Sequence, residues 1–315
     1  MKPVIDLTII VIIYNTQDMT ISCLKSVYEQ TRNITYNVII VDNSSNDGSA
    51  TEIAKQFPKT ELIKLEENIG FARANNLAAE KAIGHYILLL NPDTLVLNNA
   101  IENLLDFAKQ NPKAGIWGGR TIFADGSLNR TSCFGKTTTW SLFCRTFFLS
   151  ALFSRSKIFN YEMYGNWRHD TVEQVDIVSG CFFLITSSLW EQLAGFDKHF
   201  FMYGEEVDLC LRAKKMGYLP MVTPEATIIH YGGASEKTHA GKLNKILAAK
   251  ISLIKKHSQF LNRHVELLLM YLYPLLRVVA FRLVSLLNNK HYETYCSWKS
   301  TWENRALWIK GNNND

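Results

Sequence analysis

Residues 86–94 read Tyr86-Ile87-Leu88-Leu89-Leu90-Asn91-Pro92-Asp93-Thr94, and they indicate a strand that ends in a polar turn. The apolar run has the length of a strand that is buried on both faces. Pro92 cannot donate a ladder hydrogen bond, so the strand is expected to end before it. The turn therefore places one carboxylate, Asp93, at the carboxyl end of a buried strand, where ligands gather in open α/β sheets.

Asp93 has two interpretations from this stretch alone. A divalent cation that holds a diphosphate needs only one or two protein carboxylates, because phosphate oxygens and water complete its shell. Alternatively, Asp93 caps a turn into a helix that begins near Asn98. The stretch by itself favours neither.

Composition is typical of one large folded domain, or of one domain with an appendage. Of the 315 residues, 47% are apolar and 20% are charged. A net charge of +5 permits attraction to anionic substrates or lipid headgroups but is too small to indicate nucleic acid as a partner. The six cysteines form no CxxC pair, which favours reduced thiols in a cytosolic protein, and the first residues predict no signal peptide.

The first 120 residues alternate strands with helices. Further buried strands are predicted over residues 7–13, 37–41 and 61–65, and helices over 21–30, 50–57 and 72–83. Because the connections are short, this alternation predicts a doubly wound, Rossmann-like and mostly parallel α/β sheet with helices on both faces.

Polar side chains suited to a nucleotide follow the first two strands. Tyr14 and Asn15 follow the first. Asp42 directly follows the second, so it is expected at the ligand edge, where it could accept from an imide N–H of uracil or thymine, or from ribose. Turn formation is the alternative for every such residue, and it is preferred for Asn43, Ser45 and Asn46.

The third predicted strand leads to a glycine and then to a helix with two asparagines. Gly70 is expected to supply a backbone angle that other residues avoid. Asn75 and Asn76 are expected to point their amides towards the same edge of the sheet as Asp42.

These residues resemble the glycosyltransferases of GT-A fold, family 2. The matching stretches are Ile13-Tyr14-Asn15, Val41-Asp42-Asn43-Ser44-Ser45-Asn46-Asp47-Gly48, Asn68-Ile69-Gly70-Phe71-Ala72-Arg73-Ala74-Asn75-Asn76 and Leu89-Leu90-Asn91-Pro92-Asp93. The last two are similar to the branch that includes bacterial rhamnosyltransferases. The resemblance implies a nucleotide-sugar site formed by Tyr14, Asn15, Asp42, Gly70, Phe71, Asn75, Asn76 and Asn91. It also implies an Asp-x-Asp-type metal site, in which Asn91 replaces the first Asp and Asp93 remains.

The middle of the chain is less regular. Residues 131–170 favour either a structural excursion with a small helix over 140–153 or a mobile lid over the active site, and both alternatives remain open. Residues 175–185 predict a strand pair or one bent strand, in which Gly180 marks a bulge or a close backbone approach. Asp176 and Gly180 are expected on the acceptor or donor-sugar side of the site.

Three carboxylates follow an aromatic cluster in Phe200-Phe201-Met202-Tyr203-Gly204-Glu205-Glu206-Val207-Asp208. Acids at a helix N-terminus are a sufficient structural explanation. A carboxylate beside aromatics can also act as a general base, which removes the acceptor hydroxyl proton during sugar transfer. The resemblance maps the base of the family onto Glu206, which replaces an Asp, with Glu205 as the second candidate.

His230 ends a predicted strand and precedes Gly232, Gly233 and Ser235. Histidines in such places are more often structural than ligating. The resemblance implies a site role, because in several relatives a His followed by Gly and Ser closes the metal–diphosphate site. Asp93, His230 and diphosphate oxygens would suit Mn²⁺ or Mg²⁺, which would neutralise a leaving dTDP or UDP group.

The last quarter differs in character. We expect a catalytic domain over residues 1–240, with a nucleotide-binding half (1–120) and an acceptor half (121–240), and a helical extension over 241–315. Residues 242–257 form a basic amphipathic pattern, and 265–287 are apolar with interrupting charges. A spanning helix needs about 20 residues with few charges, so the pattern favours two interfacial helices on an anionic membrane. A hairpin packed on the catalytic domain, a homodimer contact and a transmembrane segment are the alternatives.

The sequence thus predicts an inverting, metal-dependent hexosyltransferase. The resemblance suggests L-rhamnose from dTDP-rhamnose as donor. It suggests a glycan or polyprenyl-linked acceptor in the synthesis of a cell-surface polysaccharide such as O-antigen, at the inner face of a bacterial plasma membrane. One alternative is a non-catalytic GT-A-like assembly protein, for which Asn91 and Glu206 would be the signature. The other is a nucleotidyltransferase, although residues 14–18 lack its glycine-rich phosphate loop.

Overall fold

The computed structural model describes residues 5–232 and 239–312. Two compact units are present. The sheet unit consists of Met1–Phe134, Arg168–Phe201 and Glu205–Ser235, and the helical unit consists of Gly135–Trp167, Met202–Gly204 and Glu236–Asp315. Gly233 and Ser235, which the sequence associates with the His230 site, lie outside the described residues. The boundaries expected at residues 120 and 240 stay a prediction.

All strands of the described ranges lie in the sheet unit. They are β1 (Ile5–Ile13), β2 (Tyr36–Asp42), β3 (Glu61–Lys64), β4 (Gly84–Leu90), β5 (Thr94–Val96), β6 (Ile116–Ile122), β7 (Cys133–Phe134), β8 (Glu173–Gln174), β9 (Ile177–Val178), β10 (Phe182–Thr186) and β11 (Met221–His230).

The helices are divided between the units. The sheet unit holds α1 (Gln17–Gln30), α2 (Ser49–Gln56), α3 (Phe71–Ala79), α4 (Ala100–Gln110), α7 (Ser187–Gln192) and α8 (Glu205–Lys215). The helical unit holds α5 (Thr139–Thr146), α6 (Leu149–Leu152), α9 (His239–His257), α10 (Phe260–Leu287) and α11 (Tyr292–Glu303). Short 3-10 helices cover Pro112–Ala114, Arg130–Ser132, Tyr161–Met163, Asn289–His291 and Arg305–Leu307.

The main sheet has the strand order β3-β2-β1-β4-β10-β6-β11-β5, with β8 also paired to β11. Strands β1, β2, β3 and β4 are parallel. Strand β10 is antiparallel to both β4 and β6, and β11 is parallel to β6. Six strands therefore run in one direction, and the predicted mostly parallel α/β sheet is confirmed.

The sheet is buried on both faces because its central strands are apolar throughout. Every residue from Leu7 to Ile13 is buried, and so is every residue from Ile87 to Leu90. Helices α1 and α4 pack their apolar faces onto this core through residues such as Leu24, Val27 and Leu104. This continuous burial explains why the strands lack alternating polar residues.

One helix ends earlier than the sequence indicates. The helix after Gly70 was expected to reach residue 83, whereas α3 ends at Ala79. The hydroxyl of Thr8 accepts hydrogen bonds from the backbone N–H groups of Ile83 and Gly84, at 3.2 and 3.0 Å. This contact with β1 directs the chain into β4, and the local spacing of apolar residues could not predict it.

In the helical unit, α5, α9 and α10 share a small core that includes Leu142, Leu247, Ile251 and Met270. The apolar face of α9 is therefore used inside the unit, and it is not free to lie on a membrane as the sequence suggested. Burial of Leu142 also favours the structural alternative for this part of residues 131–170. Helix α10 is long and apolar enough, by length and composition alone, to cross a membrane.

Candidate functional site

The candidate site lies along one edge of the main sheet. Because β1, β2, β4 and β11 run in the same direction, their carboxyl ends meet at this edge. The antiparallel β10 contributes its amino end there, and Cys181, just before it, accepts a hydrogen bond from the Asn91 N–H at 3.0 Å. The edge therefore collects side chains from distant parts of the sequence, as ligand sites of α/β sheets do.

Asp93 and His230 meet at the centre of this edge. His230 Nε2 lies 3.3 Å from Asp93 Oδ1 and 3.4 Å from Asn91 Nδ2. The backbone holds both residues, because Thr94 pairs with His230 across β5 and β11 and the Tyr231 N–H donates to the Asp93 carbonyl at 3.0 Å. The structure thus brings together the two side chains that were predicted to bind a metal.

The electrostatics of His230 reflect its burial among polar neighbours. Burial opposes a charged imidazole, but the adjacent Cys181 thiol and Asp93 carboxylate outweigh it and raise the pKa of His230 to about 10. Its Nδ1 is buried and has no hydrogen-bond partner. A cation would replace the proton as the positive partner of Asp93.

The residues present fit a divalent metal. One carboxylate and one imidazole are ligands that Mn²⁺ accepts, and diphosphate oxygens would complete the shell. Within residues 5–232 and 239–312 no group of three or more His, Cys, Asp or Glu side chains could hold a metal. The two protein ligands and a diphosphate would have to bind it together.

The loops after β1 and β2 are joined to each other. Asn15, in the left-handed region with φ 53°, accepts a hydrogen bond from the Asn46 N–H at 2.8 Å. Its own N–H donates to Ser45 Oγ at 2.9 Å. Asn15 is therefore a link between loops, and its side-chain oxygen is already used, whereas Tyr14 beside it is exposed.

Asp42 is where the sequence placed it, at the end of β2, and it is buried. Its Oδ1 accepts from the Ser45 N–H at 2.9 Å, which fixes the carboxylate. The preferred structural role of Asn43 is visible: its Oδ1 accepts from the Ile69 N–H, and its Nδ2 donates to Asn68 Oδ1, both at 2.9 Å. These contacts connect the Asp42 loop to the loop that contains Gly70.

Gly70 has the predicted special backbone angle, with φ +84°. A Cβ at this position would lie 2.5 Å from the Phe201 carbonyl oxygen. The same oxygen accepts a hydrogen bond from the Phe71 N–H at 2.8 Å. Gly70 therefore permits the backbone of Phe201 to lie directly against the start of α3.

Asn75 and Asn76 have different surroundings. Asn76 donates to the Phe196 carbonyl at 2.8 Å and accepts from the Phe196 N–H at 2.9 Å, so both ends of its amide are used inside the protein. The structure thus gives Asn76 a packing role rather than the nucleotide contact expected for it. Asn75 donates to the Phe71 carbonyl, but its Oδ1 is buried without a partner.

Glu205 and Glu206 begin α8, as the sequence indicated. Glu205 is buried, and burial together with the neighbouring Glu206 raises its pKa well above the ordinary range. Its Oε2 has no hydrogen-bond partner. Asp208 forms an ion pair with Arg212 at 2.7 Å, which gives both side chains a structural role.

Asp176 and Gly180 lie just before and just after β9, and their role on the acceptor or donor-sugar side stays a prediction. Asp176 is buried and forms an ion pair with Lys214, which assigns its carboxylate to packing. Gly180 follows β9, and a Cβ there would make an ordinary contact with the Phe71 ring at 3.5 Å. No close backbone approach therefore requires glycine at position 180.

Sequence reasoning missed Cys181 and Phe201. Cys181 touches Asn91 and His230 and belonged to a stretch that was treated only as a strand. The Phe201 carbonyl accepts a hydrogen bond from the Phe71 N–H at the start of α3, and the residue is 48% exposed. The position of Cys181 directly before an apolar run was the signal that could have indicated a strand end.

Comparisons with known proteins agree with this architecture. The model of the family "Glycosyl transferase family 2" matches residues 8–192. The chain is 26% identical, over 62% of its length, to N-acetylglucosaminyl-diphospho-decaprenol L-rhamnosyltransferase of Mycobacterium tuberculosis (strain H37Rv). It is 31% identical, over 55% of its length, to rhamnosyltransferase WbbL of Escherichia coli (strain K12). The matches span 66% and 65% of those two relatives, just under two thirds of their length.

Among solved structures, the mannosyltransferase PcManGT from Pyrobaculum calidifontis, in complex with GDP-Man and Mn²⁺, has a TM-score of 0.60 at 16% identity. The likeness covers 98% of this chain and 89% of that one. It supports the GT-A fold, with its mixed sheet and C-terminal helices. Since the family model covers more than half of the chain, the protein belongs to glycosyl transferase family 2.

Proposed function

We propose that the protein is an inverting, metal-dependent glycosyltransferase that moves a sugar from a nucleotide-diphosphate donor to a hydroxyl group. The observation that carries this proposal is the Asp93–His230 pair, at 3.3 Å on the ligand edge of the sheet. One carboxylate and one imidazole suit a metal that is shared with a diphosphate. When bound, the metal would supply charge neutralisation for the leaving nucleoside diphosphate.

The reaction needs one base. The acceptor oxygen forms a bond to the anomeric carbon while the bond from that carbon to the diphosphate oxygen breaks. The acceptor proton passes to a carboxylate, for which we propose Glu206. Inversion requires one displacement, and so one base opposite the leaving group.

Glu205 is less suited to the role of base than Glu206. Glu205 is 4% exposed, while Glu206 is only partly buried. Burial and the neighbouring Glu206 raise the pKa of Glu205, so its charged form is opposed more strongly than in water.

The donor is proposed to be dTDP-L-rhamnose. Support comes from the two rhamnosyltransferases among the relatives, whose names state that sugar. Asp42 would accept from the base or the ribose, and the free Oδ1 of Asn75 would accept from the same ligand. The mycobacterial relative is named for a diphospho-decaprenol substrate, and a polyprenyl-linked glycan acceptor at the cytoplasmic face of a bacterial membrane is proposed here by analogy.

A donor panel tests this function. The protein is incubated with dTDP-rhamnose, UDP-glucose, UDP-N-acetylglucosamine and GDP-mannose, each with Mn²⁺, Mg²⁺ or EDTA, and release of the nucleoside diphosphate is measured. We expect metal-dependent release with dTDP-rhamnose, and NMR of the product should show the inverted anomer. Absence of release and of binding for every nucleotide would favour the non-catalytic alternative.

A further inference from the structure

Helix α10 exposes apolar side chains and buries charged ones, which is the reverse of the pattern in a soluble protein. Leu261, Leu268, Leu283 and Leu287 are between 57% and 90% exposed. Glu266 and Arg277, on the same helix, are 5% and 9% exposed. Surface helices of soluble proteins normally show water their charged face and bury their apolar face.

The buried charges of α10 have partners inside the helical unit. Glu266 accepts a hydrogen bond from the Thr139 hydroxyl at 2.7 Å. The Arg277 guanidinium lies 3.7 Å from the centre of the Tyr273 ring and donates to the Arg145 carbonyl at 2.7 Å. These contacts fix the rotation of α10 against α5, so the leucine face is held outward.

The segment that contains α5 and α6 adds a second exposed apolar surface. Its rings are in contact: Trp140 stacks on Phe143 at 5.6 Å, Phe143 lies 4.8 Å from Phe147, and Phe153 lies 4.8 Å from Phe159. Trp140, Phe143, Phe147 and Phe153 are nevertheless 39–47% exposed. Contiguous exposed rings mark interaction surfaces, and aromatic side chains favour the membrane–water interface.

Charge identifies what covers these surfaces. The helical unit holds 17 Lys and Arg residues against six Asp and Glu, a formal net charge of +11, although the whole chain carries only +5. Residues 135–161 contain four basic residues and no acidic one. Apolar and aromatic groups flanked by lysine and arginine are the pattern of a segment that lies in an anionic bilayer surface.

We propose that the leucine face of α10 and the aromatic α5–α6 segment are together a membrane anchor that inserts into the headgroup region of an anionic bilayer. The α5–α6 segment, Thr139–Phe159, is thus a lipid-binding element and not a lid. Arg155 and Lys157, both exposed, would contact lipid phosphates beside the inserted rings. This inference deepens the proposed function, which places the acceptor on a lipid.

Vesicle co-sedimentation tests the anchor on the full chain. The probes are phosphatidylcholine vesicles with and without phosphatidylglycerol. We expect binding that requires phosphatidylglycerol and weakens with salt. Ile158→Ser combined with Leu283→Ser should weaken it by about tenfold or more, because aliphatic area is withdrawn from the bilayer.

Two controls are matched to these changes. Ile83, in the sheet unit, is 67% exposed, the same fraction as Ile158, and Ile83→Ser should leave vesicle binding unchanged. The pair Arg155→Glu and Lys157→Glu should abolish the preference for phosphatidylglycerol, whereas Lys113→Glu, an exposed lysine of the sheet unit, should not. Unaltered melting temperatures would show that the variants are folded.

Fluorescence quenching tests the anchor on a protein whose vesicle binding is intact. Brominated lipids should quench tryptophan fluorescence of the native protein, and Trp140→Phe should remove part of that quenching. The proposal is overturned if Trp140 is not quenched, or if the double serine variant binds vesicles like the native protein. It is also overturned if the only effect of the double serine variant is to convert a dimer into a monomer in lipid-free buffer. Nucleotide binding is measured separately, so failure of the anchor does not decide the transferase proposal.

Discussion

The Nε2 atom of His230 lies 3.3 Å from Oδ1 of Asp93, and this contact joins the turn after β4 to the end of β11. The two strands are not adjacent, since β10 and β6 separate them in the sheet. The contact forms because β5, which directly follows Asp93, pairs with β11 at the far end of the strand order. The chain between β4 and β5 therefore runs along this edge of the sheet and brings Asp93 next to His230 in the candidate metal site.

Replacement of Asp93 by Asn should abolish metal-dependent nucleotide binding. The change keeps the shape of the side chain but removes its charge, so a cation loses its only protein carboxylate in the site as proposed. A bound metal supplies several kcal/mol of charge stabilisation, so transfer should fall by about 100-fold or more. Melting temperature with dTDP and Mn²⁺ measures the binding. Asp106→Asn, at an exposed position on α4, is the control and should behave like the native protein.

Gly70→Ala should destabilise the sheet unit by about 1–3 kcal/mol and impair catalysis. The new Cβ would lie 2.5 Å from the Phe201 carbonyl oxygen, which the Phe71 N–H needs as its acceptor. Gly126 is a close match, with φ +80° and no atom within 4 Å of a Cβ. Chemical denaturation of Gly70→Ala and of Gly126→Ala separates the effect of the positive φ from that of the close approach. Equal losses of stability would show that the contact with Phe201 is unimportant.

Much of the site was predictable because it depends on where strands end. A buried apolar run followed by Asp42, or by Asn91 and Asp93, indicates a side chain at the sheet edge without any knowledge of neighbours. Other features depend on pairings between distant segments. Whether an asparagine on α3 faces a ligand or the Phe196 backbone is such a feature, and so is the rotation of α10, which Arg277 and Glu266 fix from inside.

The two neighbouring asparagines of α3 should differ in what their loss affects. Asn76→Ala leaves the N–H and C=O of Phe196 without their partners, so we expect a loss of about 2–4 kcal/mol in unfolding free energy. Asn75→Ala removes one hydrogen bond and an oxygen that already lacks a partner, so stability should fall by about 1 kcal/mol or less. Nucleotide affinity should fall in Asn75→Ala. Native affinity in that variant would exclude Asn75 from the site.

Substitutions of Glu205 and Glu206 should have different effects, the first on stability and the second on catalysis. Burial and Glu206 raise the pKa of Glu205 above its unfolded value, so its contribution is fully present below pH 4.5 and is lost as the pH rises through the folded pKa. At pH 7 Glu205→Gln should therefore stabilise the protein, because a neutral side chain replaces a carboxyl whose charge is opposed by burial and by Glu206. It should retain transfer activity, while Glu206→Gln should lose it. The reverse pattern of activities would identify Glu205 as the base.

Glu162 should give the opposite pH dependence in the helical unit. Its carboxylate accepts from Arg145 at 2.7 Å, Lys250 at 3.2 Å and Ser141 at 2.9 Å. Burial works against the charge, but the Lys250 and Arg145 cations outweigh it and lower the pKa of Glu162 to about 2. The pKa is depressed in the folded state, so this stability is present above pH 4.5 and is lost as the pH falls through about 2.

Glu162→Gln should cost about 3–5 kcal/mol at pH 7, because two cations remain without their carboxylate. Glu303 provides the control: its pair with Lys299 is exposed and 3.8 Å long, so Glu303→Gln should change stability by about 0.5 kcal/mol or less. Thermal unfolding from pH 7 down to pH 3 measures both. The difference in stability between the native protein and Glu162→Gln should become smaller as the pH falls. A constant difference would mean that the carboxylate of Glu162 acts through its shape rather than its charge.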